Sequence, residues 1–232
     1  MYWVIIIIVI SITIFLIWAS ADVGSNIYLK TLCKGDKKEK VVSLTFDDGP
    51  NAEMTPKVLE ILKENNISAT FFLIGQEVEQ NQELVRKIVE NGHIIGIHTY
   101  THSAFFPMNS GDCVESELKR CSDAIFNVIG KRPQLFRLPF GVSNPIIGKM
   151  VRRLGYKSIG WSIRSLDTIN WRSRESVYSG IIKQLHPGAV VLLHDRCNNS
   201  DKLLQQIILG IKEQGYKIIS LTEMLNIDAY EN

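Results

Sequence analysis

The chain has 232 residues, of which 45% are apolar and 22% charged, and its formal net charge is +2. That length suits one domain of ordinary size with a short appendage, and that composition excludes a disordered or fibrous chain. The charge is too mild for a nucleic-acid grip, and no basic stripe with interleaved aromatics runs through the sequence.

Residues 1–21 carry no charged side chain, and the first one is Asp22. As a helix, Tyr2 to Trp18 spans roughly 25 Å, slightly under a bilayer core of about 30 Å. Ala19-Ser20-Ala21 has the A-x-A form of a cleavage site, although no Lys or Arg precedes the apolar run. Lys30, Lys34, Lys37, Lys38 and Lys40 follow it, and a positive-inside count would hold them in the cytosol. Long domains translocate largely regardless of such charges, and a buried core helix rarely lacks a polar face. The segment is therefore expected to be a signal or an anchor. It would place the rest of the chain outside the cytoplasm, secreted or held at the membrane. The organisation that follows is a hydrophobic segment over 1–21, a short basic connector over 22–40 and one domain over 41–226.

From Val41 short β-branched runs alternate with helical patterns, the mark of βα units. Val41–Phe46 is the first expected strand. Thr55-Pro56, as N-cap and first helical residue, opens a helix carrying Val58, Leu59 and Leu62. Ala69–Ile74 is the second strand, Glu83–Glu90 a helix stopped by Asn91-Gly92, and Ile94–Ile97 the third strand. A helix near Asp112–Ile129 buries Val114, Leu118, Cys121, Ile125 and Val128. Leu135–Arg137 is the fourth strand, and Asn144-Pro145 opens a helix that ends at Gly155. Ser158–Ser162 and Ala189–Leu193 are the fifth and sixth strands, with a helix over Ser173–Leu185 between them. A helix over Lys202–Glu213, a seventh strand over Lys217–Ser220 and a short helix over Leu221–Leu225 complete the pattern. Seven strands separated by helices suit either a barrel, closed or incomplete, or an open doubly wound sheet.

Cys33, Cys113, Cys121 and Cys197 contain no C-x-x-C pair, which argues against a zinc ribbon or thioredoxin-like site. Cys113 and Cys121 share one helix, about 12 Å apart along it, too far for a disulfide.

Asp47-Asp48, His98, Arg137 and His194 each follow a strand's apolar run. In parallel α/β architectures those ends lie on one face, where sites are built. Adjacent carboxylates in Thr45-Phe46-Asp47-Asp48-Gly49-Pro50 repel unless a cation or proton separates them, although Asp-Gly and Gly-Pro also occur in plain solvated turns. In His98-Thr99-Tyr100-Thr101-His102-Ser103 the i,i+4 spacing lets two imidazoles face one point on a helical turn, as a divalent metal requires. Two His with one Asp leave coordination positions open for water, the catalytic rather than the structural pattern. Arg137-Leu138-Pro139-Phe140-Gly141 sets a cation at a strand end, able to hold a carboxylate ionised. Trp161-Ser162 through Asp167-Thr168-Ile169-Asn170-Trp171 offers polar groups and aromatics that could stack on a sugar. Leu192-Leu193-His194-Asp195 ends a buried strand with an imidazole able to deliver a proton near neutral pH.

Taken in order, TFDDGP, HTYTHS, RLPFG, Asp-x-x-x-Trp and LLHD resemble the polysaccharide deacetylase family (the NodB-homology domain, carbohydrate esterase family 4), over about Val41 to Leu225. The resemblance implies an α/β fold, a distorted incomplete (β/α)7 barrel. It implies Asp47 as general base, Asp48, His98 and His102 as ligands of a divalent metal, usually Zn2+ with Co2+ also accepted, and Arg137 as the residue orienting the base. It further implies the Phe140 N–H as an oxyanion donor, His194 as general acid, Asp167 as its carboxylate partner, and Leu192 and Trp171 as walls of an acetyl pocket. One departure is Asn170, where the family often carries Asp; another unplaced feature is Arg164, whose charge could meet an acidic substrate.

The expected activity is metal-dependent removal of N-acetyl groups from an N-acetylhexosamine polymer outside the membrane, with peptidoglycan ahead of chitin-like oligomers. The partner is then an acetylated polysaccharide and not a nucleic acid. The alternatives are an O-acetyl ester hydrolase on xylan-like glycans and an inactive carbohydrate-binding module. Intact Asp47, Asp48, His98, His102 and His194 argue against the second.

Overall fold

The computed structural model describes residues 2–36 and 38–231; Met1 of the expected leader and Lys37 of the expected connector lie outside the described residues. In chain order the elements are α1 (Tyr2–Ala21), β1 (Thr31–Leu32), β2 (Val41–Gly49), α2 (Met54–Glu64), β3 (Thr70–Leu73), α3 (Gly75–Gln80), α4 (Gln82–Glu90), β4 (Ile94–Ile97) and α5 (Gly111–Ile129). They continue with β5 (Leu135–Phe136), α6 (Pro145–Arg153), β6 (Lys157–Ile159), β7 (Ile163–Arg164), α7 (Arg174–Lys183), β8 (Ala189–His194), α8 (Ser200–Glu213), β9 (Lys217–Ile218) and α9 (Leu221–Leu225).

The strands form one parallel sheet in the order β1-β6-β5-β4-β3-β2-β8-β7, with β9 beside the start of β2. Steps from β2 to β6 run to the next neighbour on one side, and β8 then returns to the other side of β2. The sheet curls without closing, because β1 and β7 remain edges. This is the incomplete barrel that the family resemblance implied.

Burial explains the parallel arrangement. All nine residues of β2 are buried, and β8 reads Ala-Val-Val-Leu-Leu before its histidine. Such two-sided apolar strands need cover on both faces. Outside the sheet, Phe46, Phe71, Ile97, Val191 and Leu193 pack against the apolar stripes of α2, α5 and α8. Inside it, Phe72, Leu135, Ile159 and Val190 meet Leu221 of α9 and Ala229 of the C-terminal segment. That segment plugs one end of the barrel, where the Ile95 amide donates to the Tyr230 hydroxyl at 3.0 Å. The other end stays polar.

Three departures from the expected elements have clear causes. The two extra strands, β1 and β7, are two residues long, too short for any period-2 signal. Residues 22–40, expected as a connector, are tied into the sheet: Thr31 and Leu32 pair with Ser158 and Ile159, and Leu29 is buried. Thr55 is not the cap of α2, which begins at Met54. Its hydroxyl is engaged elsewhere, donating to Asp195 Oδ2 at 2.5 Å and accepting from the Asn51 amide at 2.7 Å. Asn51 Oδ1 instead takes the amides of Glu53 and Met54.

α1 is 20 residues long, about 30 Å at 1.5 Å per residue, with only Ala19 buried. By length and composition it could cross a membrane, with a mean hydropathy of 2.9. Its end touches the domain, where the Ser143 amide donates to the Ser20 carbonyl at 2.9 Å.

Candidate active site

Successive side chains on a strand point to opposite faces, so Asp47 and Asp48 should part company. They do not, because β2 carries a bulge. Asp47 pairs with Phe72 and Gly49 with Leu73, leaving Asp48 as the extra residue on the β3 side, at φ +70°. Aspartate tolerates this left-handed conformation better than most residues. On the β8 side Asp47 stands in register with His194, so their side chains share a face. Gly49 is required by a close approach: a Cβ there would lie 2.6 Å from Asp195 Oδ2.

His98 and His102 come together by a route that helical spacing does not describe. Residues 98–102 form no helix, and Thr99 and His102 sit at φ +66° and +50°. The expected helical turn is corrected to a strained loop, the kind of conformation that surrounding structure must hold in place. Glu117 of α5 does so with one oxygen. Its Oε2 accepts the Thr101 amide (2.8 Å), the Thr101 hydroxyl (3.0 Å) and the Tyr100 amide (3.1 Å). His98 is oriented by its Nδ1, 2.9 Å from the Arg137 carbonyl. A carbonyl can only accept, so Nδ1 carries a proton and Nε2 is the nitrogen turned to the site.

Asp48 Oδ1 lies 3.4 Å from His98 Nε2 and 3.3 Å from His102 Nε2, and one ligand atom from each residue falls within 4.8 Å of the others. Burial pushes the Asp48 carboxyl up, but the hydrogen bond and charge of His98, with His102 and His194, outweigh it and hold it well below the usual range. Burial, assisted by the charge of His98, takes His102 down to about 4, so its imidazole is neutral at pH 7. One carboxylate and two imidazole nitrogens form a donor set that suits a divalent transition metal, with positions left for water and substrate.

Two further pairs flank this set. Arg137 is fully buried and donates from Nη1 to Asp47 Oδ1 and to Thr45 Oγ1, both at 2.7 Å. Its remaining donors reach the Ile159 and Gly160 carbonyls, and its guanidinium lies 4.1 Å from the Phe72 ring centroid. Asp47 is thereby gripped through Oδ1 while Oδ2 turns toward His98, 3.8 Å from Nε2. On the opposite side Asp167 takes His194 Nδ1 at 2.7 Å and the His194 amide at 2.9 Å. Burial alone would lower the His194 pKa, but the hydrogen bond and charge of Asp167, with Asp47 and Asp48, raise it. Asp167 is steadied by the Ser165 hydroxyl at 2.8 Å. Asn170 is exposed and makes no part of this network, so the departure there leaves the pair intact.

Asp47, Asp48, His98, His102 and His194 line a cavity of about 110 Å³ with Leu138, Phe140, Trp161, Arg164, Leu192 and Arg196. Its size suits a small group such as an acetamido fragment. Leu192 lines the cavity, and Phe140, at φ +59°, stands beside it with its ring 4.8 Å from that of His102. Trp171 is not a wall: it is 84% exposed and lies away from the cavity. The indole there is Trp161, just after β6. Residues 165–174 leave the sheet edge through Leu166 at φ +58°, which carries Trp171 outward. Two other groups at the site escaped the sequence reading. Arg196 donates from Nε to Asp48 Oδ2 at 2.7 Å, and the only cue was its place two residues after His194. Glu117 had a better cue, an acid on the edge of the Val114–Leu118–Cys121 stripe.

Residues 34–159 match the family model described as polysaccharide deacetylase. The chain is 34% identical over 194 residues to the peptidoglycan-N-acetylmuramic acid deacetylase PdaA of Bacillus subtilis, covering 82% of this chain and 73% of that protein. Among solved structures, the Bc1960 peptidoglycan N-acetylglucosamine deacetylase superposes with a TM-score of 0.81 at 28% identity, covering 87% of this chain and 95% of the other. The chitin deacetylase of the fungal pathogen Colletotrichum lindemuthianum gives the same TM-score at 26% identity, with the same coverage. Fold, motif order and overall similarity agree, and the chain belongs to the polysaccharide deacetylase family.

Proposed function

We propose that this protein is a metal-dependent hydrolase that removes acetyl groups from the nitrogen of N-acetylhexosamine units in a polysaccharide, with peptidoglycan as the favoured polymer. One observation carries the reading: an Asp48–His98–His102 donor set lies between an Asp47–Arg137 pair and a His194–Asp167 pair in one acetamido-sized cavity. Asp48, His98 and His102 would hold the ion, with Zn2+ the first choice by donor type. When bound, the ion supplies Lewis-acid polarisation of the acyl carbonyl and acidifies water.

The protein's own groups do the rest. Arg137 holds Asp47 Oδ1, so Oδ2 is the basic oxygen that takes a proton from the attacking water. The water oxygen bonds to the acetyl carbon, and the Phe140 N–H donates to the oxyanion that develops. His194, kept protonated by Asp167, gives its Nε2 proton to the sugar nitrogen as the C–N bond breaks. Acetate and a free amine leave. Leu192 and Leu138 supply the apolar wall for the methyl group. α1 acts as an export signal or anchor and sets the domain on the outer side of the membrane, where such polymers lie.

Acetate release and metal content, measured together on the full chain, test this reading. Wild-type protein should bind about one equivalent of Zn2+ and release acetate from N-acetylated glycans, and His98→Ala should lose both. Release confined to O-acetylated xylan would make the protein an ester hydrolase, and no release from either class would make it a binding module.

A further inference from the structure

The cleft beside the cavity is more cationic than hydrolysis of an acetamide requires. Arg164, at the end of edge strand β7, is exposed, lines the cavity and has no hydrogen-bonding or ion-pair partner among the described residues; its guanidinium lies 5.8 Å from the Trp161 ring. Arg196 spends Nε on Asp48, and its side chain is about half exposed. A second cavity of about 520 Å³ adjoins the first, sharing Arg196 and Thr168, and adds Arg172 and Arg174. Among the described residues, the side chains of those two are held only by Ser176 and by a long 3.4 Å contact to Glu175. The acids on this side are already matched, since Asp48 faces Arg196 and Asp167 faces His194. For a chain whose net charge is only +2, four guanidiniums on one flank are a local concentration and not a general basicity.

We infer that this flank of the cleft, led by Arg164, binds a carboxylate carried by the substrate strand next to the acetamido group being hydrolysed. The inference rests on the deacetylase reading and narrows it from any N-acetylhexosamine polymer to an anionic one. A guanidinium matches a carboxylate in two parallel hydrogen bonds, and an unpaired one at a cleft mouth is already free to make them. A neutral chitin-like strand offers no such partner. On a glycan strand the carboxylate has two sources, a free lactyl ether on the sugar or an acidic group of a peptide attached to it. The rim of the small cavity, where exposed Arg164 stands, suits the first, and the larger cavity beside Arg172 and Arg174 suits the second.

The test compares kcat/KM for acetate release, with the full Zn2+-loaded chain, on three oligosaccharides: an N-acetylmuramoyl strand with free lactyl carboxylates, the same strand bearing peptides, and tetra-N-acetylchitotetraose. Arg164→Gln should lower the ratio of anionic to neutral kcat/KM by about five- to tenfold, mainly through KM, and 1 M salt should narrow the wild-type ratio similarly. A loss confined to the peptide-free strand identifies the lactyl group, and a loss confined to the peptide-bearing strand identifies the peptide. An unchanged ratio in Arg164→Gln, or an equal fall on all three substrates, overturns the inference. Equilibrium binding of the same oligosaccharides is measured alongside. If wild-type protein releases no acetate at all, the deacetylase reading fails, while a selective loss of anionic-strand binding in Arg164→Gln still supports the carboxylate site and its absence refutes it.

Discussion

Glu117 never touches the cavity, yet its removal should weaken the metal site. In Glu117→Ala three donors lose their acceptor at once. Tyr100 is buried, so its amide is left unsatisfied at about 2 kcal/mol, whereas half-buried Thr101 can turn to water at roughly 0.5 kcal/mol for each of its two donors. The total of about 3 kcal/mol corresponds to a fall in Tm of about 6–12 °C for a domain of this size. Part of the loss should appear as local opening of the 98–102 loop, whose left-handed residues relax when released. If half of it does, the ratio of open to closed loop rises about tenfold, and Zn2+ affinity falls by up to that factor. Glu117→Gln keeps an oxygen able to accept all three bonds and should lose at most about 1 kcal/mol. Competition with a chromogenic chelator measures affinity, and thermal melts of the metal-free protein measure stability. Wild-type Zn2+ affinity in Glu117→Ala, with its melt lowered as expected, would refute the claim that this carboxylate sets the histidine loop.

Asp47→Asn should retain Zn2+ yet lose hydrolysis of amide and activated ester alike, because both need a deprotonated water; metal analysis beside acetate release checks it. His194→Ala should lose about 10²–10⁴-fold on an N-acetyl sugar and much less on an ester with a low-pKa leaving group, and equal losses would remove His194 as the acid. Burial pushes the Asp195 carboxyl up to about 7, with Thr55 opposing and Asp48 adding to the shift. The folded state then holds a proton that the unfolded chain has released, so this group's contribution is full below about pH 4 and lost as pH rises to 7. Denaturant melts should show wild-type stability falling relative to Asp195→Asn across that window, and a constant difference would contradict it. Of the four free thiols, exposed Cys113 should react first with a disulfide reagent, while burial holds Cys121 and Cys197 up at about 12; a fast second equivalent in native protein would count against this.

The barrel and most of its elements were legible because two-sided apolar strands and capped helices leave strong local signals, as at Asn144-Pro145, where Asn144 accepts the Ile147 amide. The site was legible in its residues but not in its geometry. His98 and His102 have a spacing that looks helical, yet they meet through a loop whose conformation depends on Glu117, 15 residues beyond His102 in another element. Asp47 and Asp48 look like neighbours destined for opposite faces, and only pairing with β3 reveals the bulge. Trp171 was misplaced because nothing local says that the chain swings outward after Leu166. Arg196 hides for a related reason, since its partner Asp48 is 148 residues away.

The bulge makes the two edges of β2 disagree in their counting. Along β8 the strand keeps step through Asp47, whereas along β3 it has slipped by one residue when it reaches Gly49. A site built on that mismatch is sensitive to chain length before it is sensitive to side-chain identity. A one-residue deletion within 47–49 that restores ordinary alternation leaves any two adjacent carboxylates on opposite faces, whatever residues remain. Anyone moving this chemistry onto another barrel would therefore have to transplant the slipped strand together with both of its neighbours, since the six letters TFDDGP on a regular strand would present only half of the site.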